Sequence, residues 1–146
     1  MKIYQDRNEK HGKHDNLERY FAANGIEVQR VVLKVGDYMI ADGLPISVDI
    51  KQDILELAGD LFRDSKTFYK KYSKCLQYRI KLTVLVQEPV PSLRDLVKWK
   101  SNHTKVNGAM LLKMMDTIKY AYGVRVMFCS KKEAPKILID ILDGRI

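Results

Sequence analysis

The sequence predicts an α/β fold in which a central mixed β-sheet is flanked by helices. Short runs rich in Val, Ile and Leu alternate with segments whose apolar residues recur at helical spacing. One run, residues 82–86, is almost entirely apolar and is typical of a strand buried on both faces. Gly and Pro stand mainly between these segments, where they end strands and helices. These three observations together indicate one sheet covered by helices.

The first part of the chain is predicted to supply most of the sheet. Residues 2–5 form a predicted first strand, and helical spacing then predicts a helix through Leu17 and Phe21 that stops at Asn24 and Gly25. Three short strand-like runs follow, and we predict that they pair as an antiparallel meander. They are residues 26–33, 37–41 and 46–50.

The rest of the chain alternates helices with two more strands. Helical spacing begins at Ile54, and a second, basic helix is predicted over residues 66–79. Ser92 is a suitable N-cap for a short helix to Val97, because its hydroxyl can accept a backbone amide of the first turn. The remaining predicted elements are a polar loop at 98–108, a helix at 109–122, a strand at 124–129 and an amphipathic helix at Ala134–Leu142.

Length and composition fit one domain, residues 1–146. Hydrophobic residues make up 46% and charged residues 30%, which excludes the composition of a disordered chain. Lys and Arg number 26 against 18 Asp and Glu, so the net charge is +8. That excess suits a polyanionic partner such as DNA, because neutralised phosphates release condensed counterions. A basic surface that serves only solubility is the alternative, and charge alone does not decide between them.

The sequence also predicts the compartment. Cys75 and Cys129 have no second Cys or His at ligand spacing, which is typical of reduced, structural cysteine in an intracellular protein. No apolar signal segment opens the chain, and no apolar stretch is long enough to span a membrane. We therefore expect a protein of the bacterial or host-cell cytoplasm, or one associated with the nucleoid, that is neither secreted nor membrane-inserted.

A candidate catalytic pattern lies in the predicted hairpin. Asp49 and Lys51 are two residues apart, so on a strand their side chains share one face while Ile50 points into the core. Asp37 begins the partner strand and can approach Asp49 across the hairpin. Two carboxylates can hold Mg²⁺ or Mn²⁺, and a nearby Lys can orient water or stabilise developing charge. An Asp-x-Lys pair is also a common surface ion pair, so spacing alone leaves both interpretations open.

Four motifs supply the context of that pattern. They are Asp6-Arg7-Asn8-Glu9, Val35-Gly36-Asp37-Tyr38, Val48-Asp49-Ile50-Lys51 and Glu56-Leu57-Ala58-Gly59-Asp60-Leu61. In this order they resemble the nuclease domain of the XPF-type structure-specific endonucleases, which belongs to the restriction-endonuclease-like PD-(D/E)xK superfamily. The likeness continues through residues 82–88, similar to a core strand ending in an acid, and through residues 122–126, similar to a late strand. It covers nearly the whole chain.

The resemblance implies a restriction-endonuclease-like fold and a Mg²⁺- or Mn²⁺-dependent DNA endonuclease that acts on branched or flapped DNA. By the same resemblance, Asp37 is the metal ligand of the Gly-Asp motif and Lys51 is the catalytic Lys. Asp49 takes the place of the signature Glu as the second metal ligand. Matches to the early family motif imply that three further residues line the same site. They are Asp6, Arg7 and Glu9.

The chain departs from the family pattern at two positions. Ile50 stands where eukaryotic members have Arg, so any phosphate contact made by that Arg is missing or supplied elsewhere. The family's closing acid would fall on Leu55, and Glu56, one position later, is the candidate to replace it. A charge that complements the helix dipole is the alternative role for Glu56.

Two basic segments are candidate DNA-binding surfaces. In the predicted second helix, Lys66, Lys70, Lys71 and Lys74 could follow a phosphate backbone, or form a solvated basic face over packed Tyr side chains. In the loop, Lys98, Lys100 and Lys105 accompany Trp99, which could stack on an unpaired base or anchor the loop to the fold.

We expect the last predicted helix, Ala134–Leu142, either to pack in the core or to form a dimer interface. Because nuclease domains of the resembled family associate in pairs, the resemblance also implies a homodimer or a heterodimer. Because the chain ends at Ile146, we expect no helix-hairpin-helix module, an architecture that would suit a phage or mobile element. Two other functions remain open: a non-catalytic DNA-binding or scaffolding subunit of the same fold, and a dimeric four-way-junction resolvase. The intact set of Asp37, Asp49 and Lys51 favours the endonuclease.

Overall fold

The fold is built on six strands and six helices in the residues that the computed structural model describes, 1–10, 12–62 and 64–146. The strands are β1 (Lys2–Asp6), β2 (Glu27–Val31), β3 (Tyr38–Ile40), β4 (Ile46–Lys51), β5 (Lys81–Val86) and β6 (Arg125–Phe128). The helices are α1 (Asp15–Ala23), α2 (Ile54–Leu61), α3 (Ser65–Gln77), α4 (Leu93–Leu96), α5 (Gly108–Tyr122) and α6 (Ala134–Leu142). All six strands belong to one mixed sheet, in the order β2-β1-β3-β4-β5-β6. The predicted fold class is confirmed.

The predicted three-stranded meander is wrong in one pairing. β3 pairs antiparallel with β4 as predicted, but β1 lies between β2 and β3. Because α1 connects β1 to β2, this pair is parallel, as a crossover connection requires. Ile3 and Gln5 of β1 are buried, whereas Glu27 and Val28 of β2 are exposed. The buried side chains of β1 suit a strand in the interior of the sheet, and the exposed side chains of β2 suit a strand at its edge.

Each face of the sheet carries its own apolar layer. Val84 and Val86 of β5 pack in a cluster with α2, α3, α4 and α5, while Leu85 packs in the other with α1 and α6. On β4, Val48 and Ile50 belong to the layer that contains α1 and α6, which we call the α1–α6 layer. Because strand side chains alternate, Asp49 faces the opposite layer, where α3 lies. This alternation turns the polar side chains of β4 toward α3.

Helix ends follow the predicted caps. Ser92 Oγ accepts the amide of Asp95 at 3.2 Å and begins α4. Gly123 ends α5 with a left-handed φ of +69°. Leu138 and Ile141 of α6 are fully buried against the sheet and α1, so this helix packs in the core. Among the helices of the described residues, none has the length and apolar character needed to cross a membrane.

Candidate active site

The β4 strand places Asp49 and Lys51 on one side of the sheet. Lys51 Nζ lies 3.4 Å from Asp49 Oδ2, and both residues are less than one-tenth exposed. Ile50 between them is buried in the α1–α6 layer, which fixes the strand and aims its neighbours. The geometry predicted from the two-residue spacing is confirmed.

Asp37 meets Asp49 across the β3–β4 hairpin. The amide of Asp37 donates to the Val48 carbonyl at 2.8 Å, and the amide of Ile50 donates to Asp37 Oδ2 at 2.8 Å. The carboxyl groups of Asp37 and Asp49 are close enough for each to shift the pKa of the other. The hairpin backbone therefore holds the two acids together, as predicted.

Gly36 is the residue that lets Asp37 reach this position. Its φ is +81°, and a Cβ placed on it would lie 2.0 Å from Ser47 Oγ. Ser47 is buried and its hydroxyl donates to the Val35 carbonyl at 2.7 Å, so it has little freedom to move aside. The Gly-Asp pair thus has a steric reason as well as a chemical one.

We expect Gly36→Ala to lower the free energy of unfolding by about 3 kcal/mol, because left-handed strain and a clash add. The matched control is Gly25→Ala, whose φ of +64° is similar but whose added Cβ would meet nothing within 4 Å. That variant should lose only about 1 kcal/mol, the strain alone. Urea unfolding of both variants measures the difference, and equal losses would show that the Ser47 contact has no effect.

Glu9 joins the two aspartates from the turn that follows β1. Its side chain is 8% exposed, and its carboxylate is close enough to Asp37 to raise the pKa of that residue. Glu9 Oε1 is buried without a hydrogen-bond partner in the described residues and lies 3.6 Å from His14 Nε2. The structure therefore brings this sequence-predicted residue into the candidate site.

His14 is a neighbour of Glu9 that sequence reasoning did not single out. Gln87 Nε2 lies 3.2 Å from His14 Nδ1, and Gln87 Oε1 accepts from Asn16 at 2.7 Å. This arrangement makes the Gln87 amide the donor, so the proton of a neutral His14 sits on Nε2 and faces Glu9. Burial lowers the pKa of His14, which favours that neutral form.

The other two residues of the early motif have different positions. Asp6 lines the same cleft, and its Oδ1 accepts the Leu33 amide at 3.0 Å, which fastens the segment after β2. The Arg7 side chain is exposed and does not line the cleft. Its backbone carbonyl accepts from Arg30 at 2.8 Å.

Asp60 is a fourth acid of the site, and it too was missed from the sequence. Lys51 Nζ lies 3.6 Å from Asp60 Oδ1, and the Tyr72 hydroxyl donates to Asp60 Oδ2 at 3.2 Å. Asp60 lies in the last turn of α2, where a carboxylate opposes the helix dipole. That local mismatch was the signal available in the sequence. We refer to Glu9, Asp37, Asp49 and Asp60 as the acid cluster.

Glu56 lies apart from Lys51. Its carboxylate is 3.5 Å from Lys13 Nζ, and its side chain is 29% exposed in the first turn of α2. An acid there complements the helix dipole, which is the alternative considered for this residue. The acid of α2 that contacts Lys51 is Asp60.

Lys71, predicted as part of a DNA-binding surface, also contacts two acids of the site. Its Nζ lies 2.6 Å from Asp49 Oδ2 and 2.9 Å from Asp60 Oδ2, and its side chain is 27% exposed. Together with Lys51, it supplies two ammonium groups to the acid cluster. The reason is its place on α3 beside Tyr72, which is fully buried and turns this part of the helix toward the sheet.

The pKa values of Asp37 and Asp49 are shifted in opposite directions. Burial raises the pKa of Asp37, and the neighbouring Asp49 and Glu9 carboxylates raise it further. Burial acts in the same direction on Asp49, but Lys71 and Lys51 outweigh it and hold the pKa of Asp49 below its usual range. Asp49 therefore carries a compensated charge, while ionisation of Asp37 is opposed.

A cleft of about 300 Å³ opens on Asp37 and Asp49. The lysines that line it are Lys34, Lys70, Lys71 and Lys74. Three of these come from the predicted basic helix, whereas Lys66 is exposed outside the lining. The second predicted surface, with exposed Lys98, Lys100 and Lys105, does not line the cleft. Trp99 is partly buried against the apolar layer that contains α2, α3, α4 and α5. This position agrees with the alternative in which Trp99 anchors the loop to the fold.

The donor set fits a hard divalent cation. Glu9 Oε1 is an orphaned buried oxygen, and it adjoins Asp37, whose charge is opposed by two further carboxylates. Mg²⁺ commonly binds through one or two carboxylates and keeps several waters. Within the described residues, no group of three or more His, Cys, Asp or Glu side chains is arranged so that it could hold a metal ion, so at most two carboxylates would hold the cation.

Comparisons with known proteins relate the chain to solved structures. XPF from Aeropyrum pernix aligns with a TM-score of 0.71 at 19% identity, over 97% of this chain and 63% of that one. This chain has an XPF-type fold. XPF from Aeropyrum pernix in complex with DNA aligns with a TM-score of 0.68 at 19% identity, over 97% of this chain and 62% of that one. No protein-family model and no curated protein matches the sequence.

This structural similarity confirms the fold that the resemblance of the motifs implied. At 19% identity the alignment shows the architecture and leaves the chemistry to the residues of this chain. The chain spans a little under two thirds of the length of the XPF chains it matches.

Proposed function

We propose that the protein is a Mg²⁺- or Mn²⁺-dependent DNA endonuclease that acts on branched or flapped DNA. One observation carries the proposal: Asp37 and Asp49 meet across the hairpin with Lys51 Nζ 3.4 Å from Asp49, all on an XPF-type fold. Buried carboxylates in contact are unfavourable for folding and are typical of a site kept for chemistry. The set also argues against a subunit that has lost catalysis.

In this proposal Asp37 and Asp49 hold the metal, with Glu9 beside them. When bound, the metal would neutralise charge on the scissile phosphate and acidify an attacking water. Lys51 donates hydrogen bonds that orient the water or stabilise the charge that develops on the phosphate. Asp60 acts as a positioning residue, because its carboxylate lies 3.6 Å from Lys51 Nζ and is itself held by Tyr72.

The proposed substrate is DNA because the cleft is lined by cations and by acids together. Lys34, Lys70 and Lys74 line the same opening as Asp37, so a backbone bound by the lysines passes the acids. The net charge of +8 has the sign that this binding requires. One of the matching XPF structures was solved in complex with DNA, which supports the same partner.

The test is incubation of the purified chain with labelled flap, fork and four-way-junction DNA in Mg²⁺ or Mn²⁺. We expect cleavage of at least one branched substrate and its loss in EDTA, while a linear duplex of the same sequence is cut more slowly. Failure to cut any branched substrate in either metal would remove the proposal. Paired cuts in the junction, with a dimer seen by light scattering, would indicate a resolvase instead.

A further inference from the structure

Lys71 lies inside the acid cluster. Its Nζ is 2.6 Å from Asp49 Oδ2 and 2.9 Å from Asp60 Oδ2, closer to both acids than Lys51 is. The Tyr72 hydroxyl donates to the same Asp60 oxygen at 3.2 Å. The ammonium of Lys71 therefore occupies a built position between two acids.

The charges of the cluster are unevenly shared. Asp49 has the ammonium groups of Lys51 and Lys71 within 3.4 Å. No Lys or Arg nitrogen forms an ion pair with Asp37 in the part of the chain that the structure describes. A divalent cation that binds both aspartates must therefore share Asp49 with Lys71, and the two positive charges repel each other.

Lys71 also belongs to the surface that faces the proposed substrate. It lines the cleft together with Lys70 and Lys74 of the same helix, and its side chain is 27% exposed. A lysine ammonium on a flexible four-carbon stem can exchange a carboxylate for a phosphate with little change in the backbone. The group that repels the metal is thus within reach of the DNA.

We propose that Lys71 is a resident counter-cation: it weakens divalent-cation binding at Asp37 and Asp49 until a DNA phosphate draws its ammonium away. Metal binding and DNA binding are then coupled, and by linkage each strengthens the other by the same factor. This inference rests on the proposed nuclease function and adds a regulation of the same site.

The test is Mn²⁺ binding, measured by calorimetry on the whole chain as wild type, Lys71→Met and Lys113→Met. Lys113 is the matched control because it is also a helical lysine, is exposed on α5 and does not line the cleft. Without DNA we expect Lys71→Met to bind Mn²⁺ about tenfold more tightly than wild type, since one positive charge beside a ligand is gone. Lys113→Met should stay within about twofold of wild type.

The second arm adds a flap DNA whose linkages are phosphorothioates, so that it binds without being cut. DNA should tighten Mn²⁺ binding at least fivefold more in wild type and in Lys113→Met than in Lys71→Met. Equal Mn²⁺ affinity of Lys71→Met and wild type, or equal effects of DNA on both, would overturn the inference. Lys71→Gln, with the same expected results, serves if circular dichroism shows that the Met variant is misfolded.

Wild-type cleavage of ordinary flap DNA in the same buffer separates this inference from the function beneath it. If the wild type cuts DNA but Lys71→Met has unchanged Mn²⁺ affinity, only the counter-cation role is lost. If no variant binds Mn²⁺ with or without DNA and nothing is cut, the proposed nuclease function is lost as well.

Discussion

Replacing Asp37 with Asn is expected to lower the rate of DNA cleavage by about 1000-fold or more, while DNA affinity without metal changes by less than about twofold. Asn can still accept the Ile50 amide through its carbonyl oxygen, so the hairpin should keep its shape. It lacks the negative charge that a metal ligand needs. Single-turnover cleavage of the preferred branched substrate measures the first quantity, and fluorescence anisotropy the second.

The control for this variant is Asp42→Asn, the same chemical change in the connection between β3 and β4. Asp42 is exposed, and its φ of +55° is a conformation that Asn readily adopts. It should cleave DNA at the wild-type rate. A rate for Asp37→Asn that matches the control would show that the metal is held elsewhere.

The same Asp37→Asn variant should be more stable than the wild type at neutral pH. Burial and the neighbouring carboxylates raise the pKa of Asp37, so the folded chain holds this proton more tightly than the unfolded chain. The stabilising effect of that proton is complete below the unfolded pKa of about 3.9 and is lost as the pH rises through the folded pKa. Removing the charge should therefore add about 1 kcal/mol to the free energy of unfolding at pH 8.

Urea unfolding in EDTA at pH 8 and at pH 4 checks this difference, because a bound cation would mask it. The gain in stability should be smaller at pH 4, where wild-type Asp37 keeps its proton. A variant less stable than the wild type at pH 8 would mean that the carboxylate is favourably solvated in the folded chain.

The second large effect is expected for Lys51→Met, which should slow cleavage by about 100-fold. Its ammonium is held 3.4 Å from Asp49 and 3.6 Å from Asp60, so it is oriented before substrate arrives. Asp49 keeps Lys71 as its partner in the variant, and the fold should survive the change. Turnover at saturating Mn²⁺ separates this loss from any change in metal affinity.

Lys81→Met is the comparison for that variant. Lys81 begins β5, the strand next to β4, and its side chain is exposed. Its removal should leave turnover within about twofold of the wild type. Equal turnover of the two variants would leave Lys51 without a catalytic role.

The parts of the site that are local in sequence could be predicted. Asp49 and Lys51 share a face because strand side chains alternate, and Asp37 follows because a hairpin joins its strand to theirs. Asp60 and Lys71 reach the candidate site from α2 and α3. The periodicity of apolar residues within a helix does not predict which other element of the fold that helix will pack against. Their contacts depend on how α2 and α3 pack on the sheet.

The same limit explains the sheet. Alternation and apolar runs identified the strands, and no predicted strand end differs from the observed one by more than two residues. Which strands become neighbours is a long-range property, and three consecutive strand-like runs favoured a meander. The insertion of β1 between β2 and β3 could not be seen from these runs alone.

The central position of β1 has a consequence for the order in which the molecule can assemble during synthesis. β1 leaves the ribosome first, yet its residue Ile3 pairs with Val28 on one edge and with Ile40 on the other. Glu9, which directly follows β1, can therefore meet Asp37 only after the third strand has emerged. We therefore expect these acids to stay apart in the nascent chain until β3 has paired with β1.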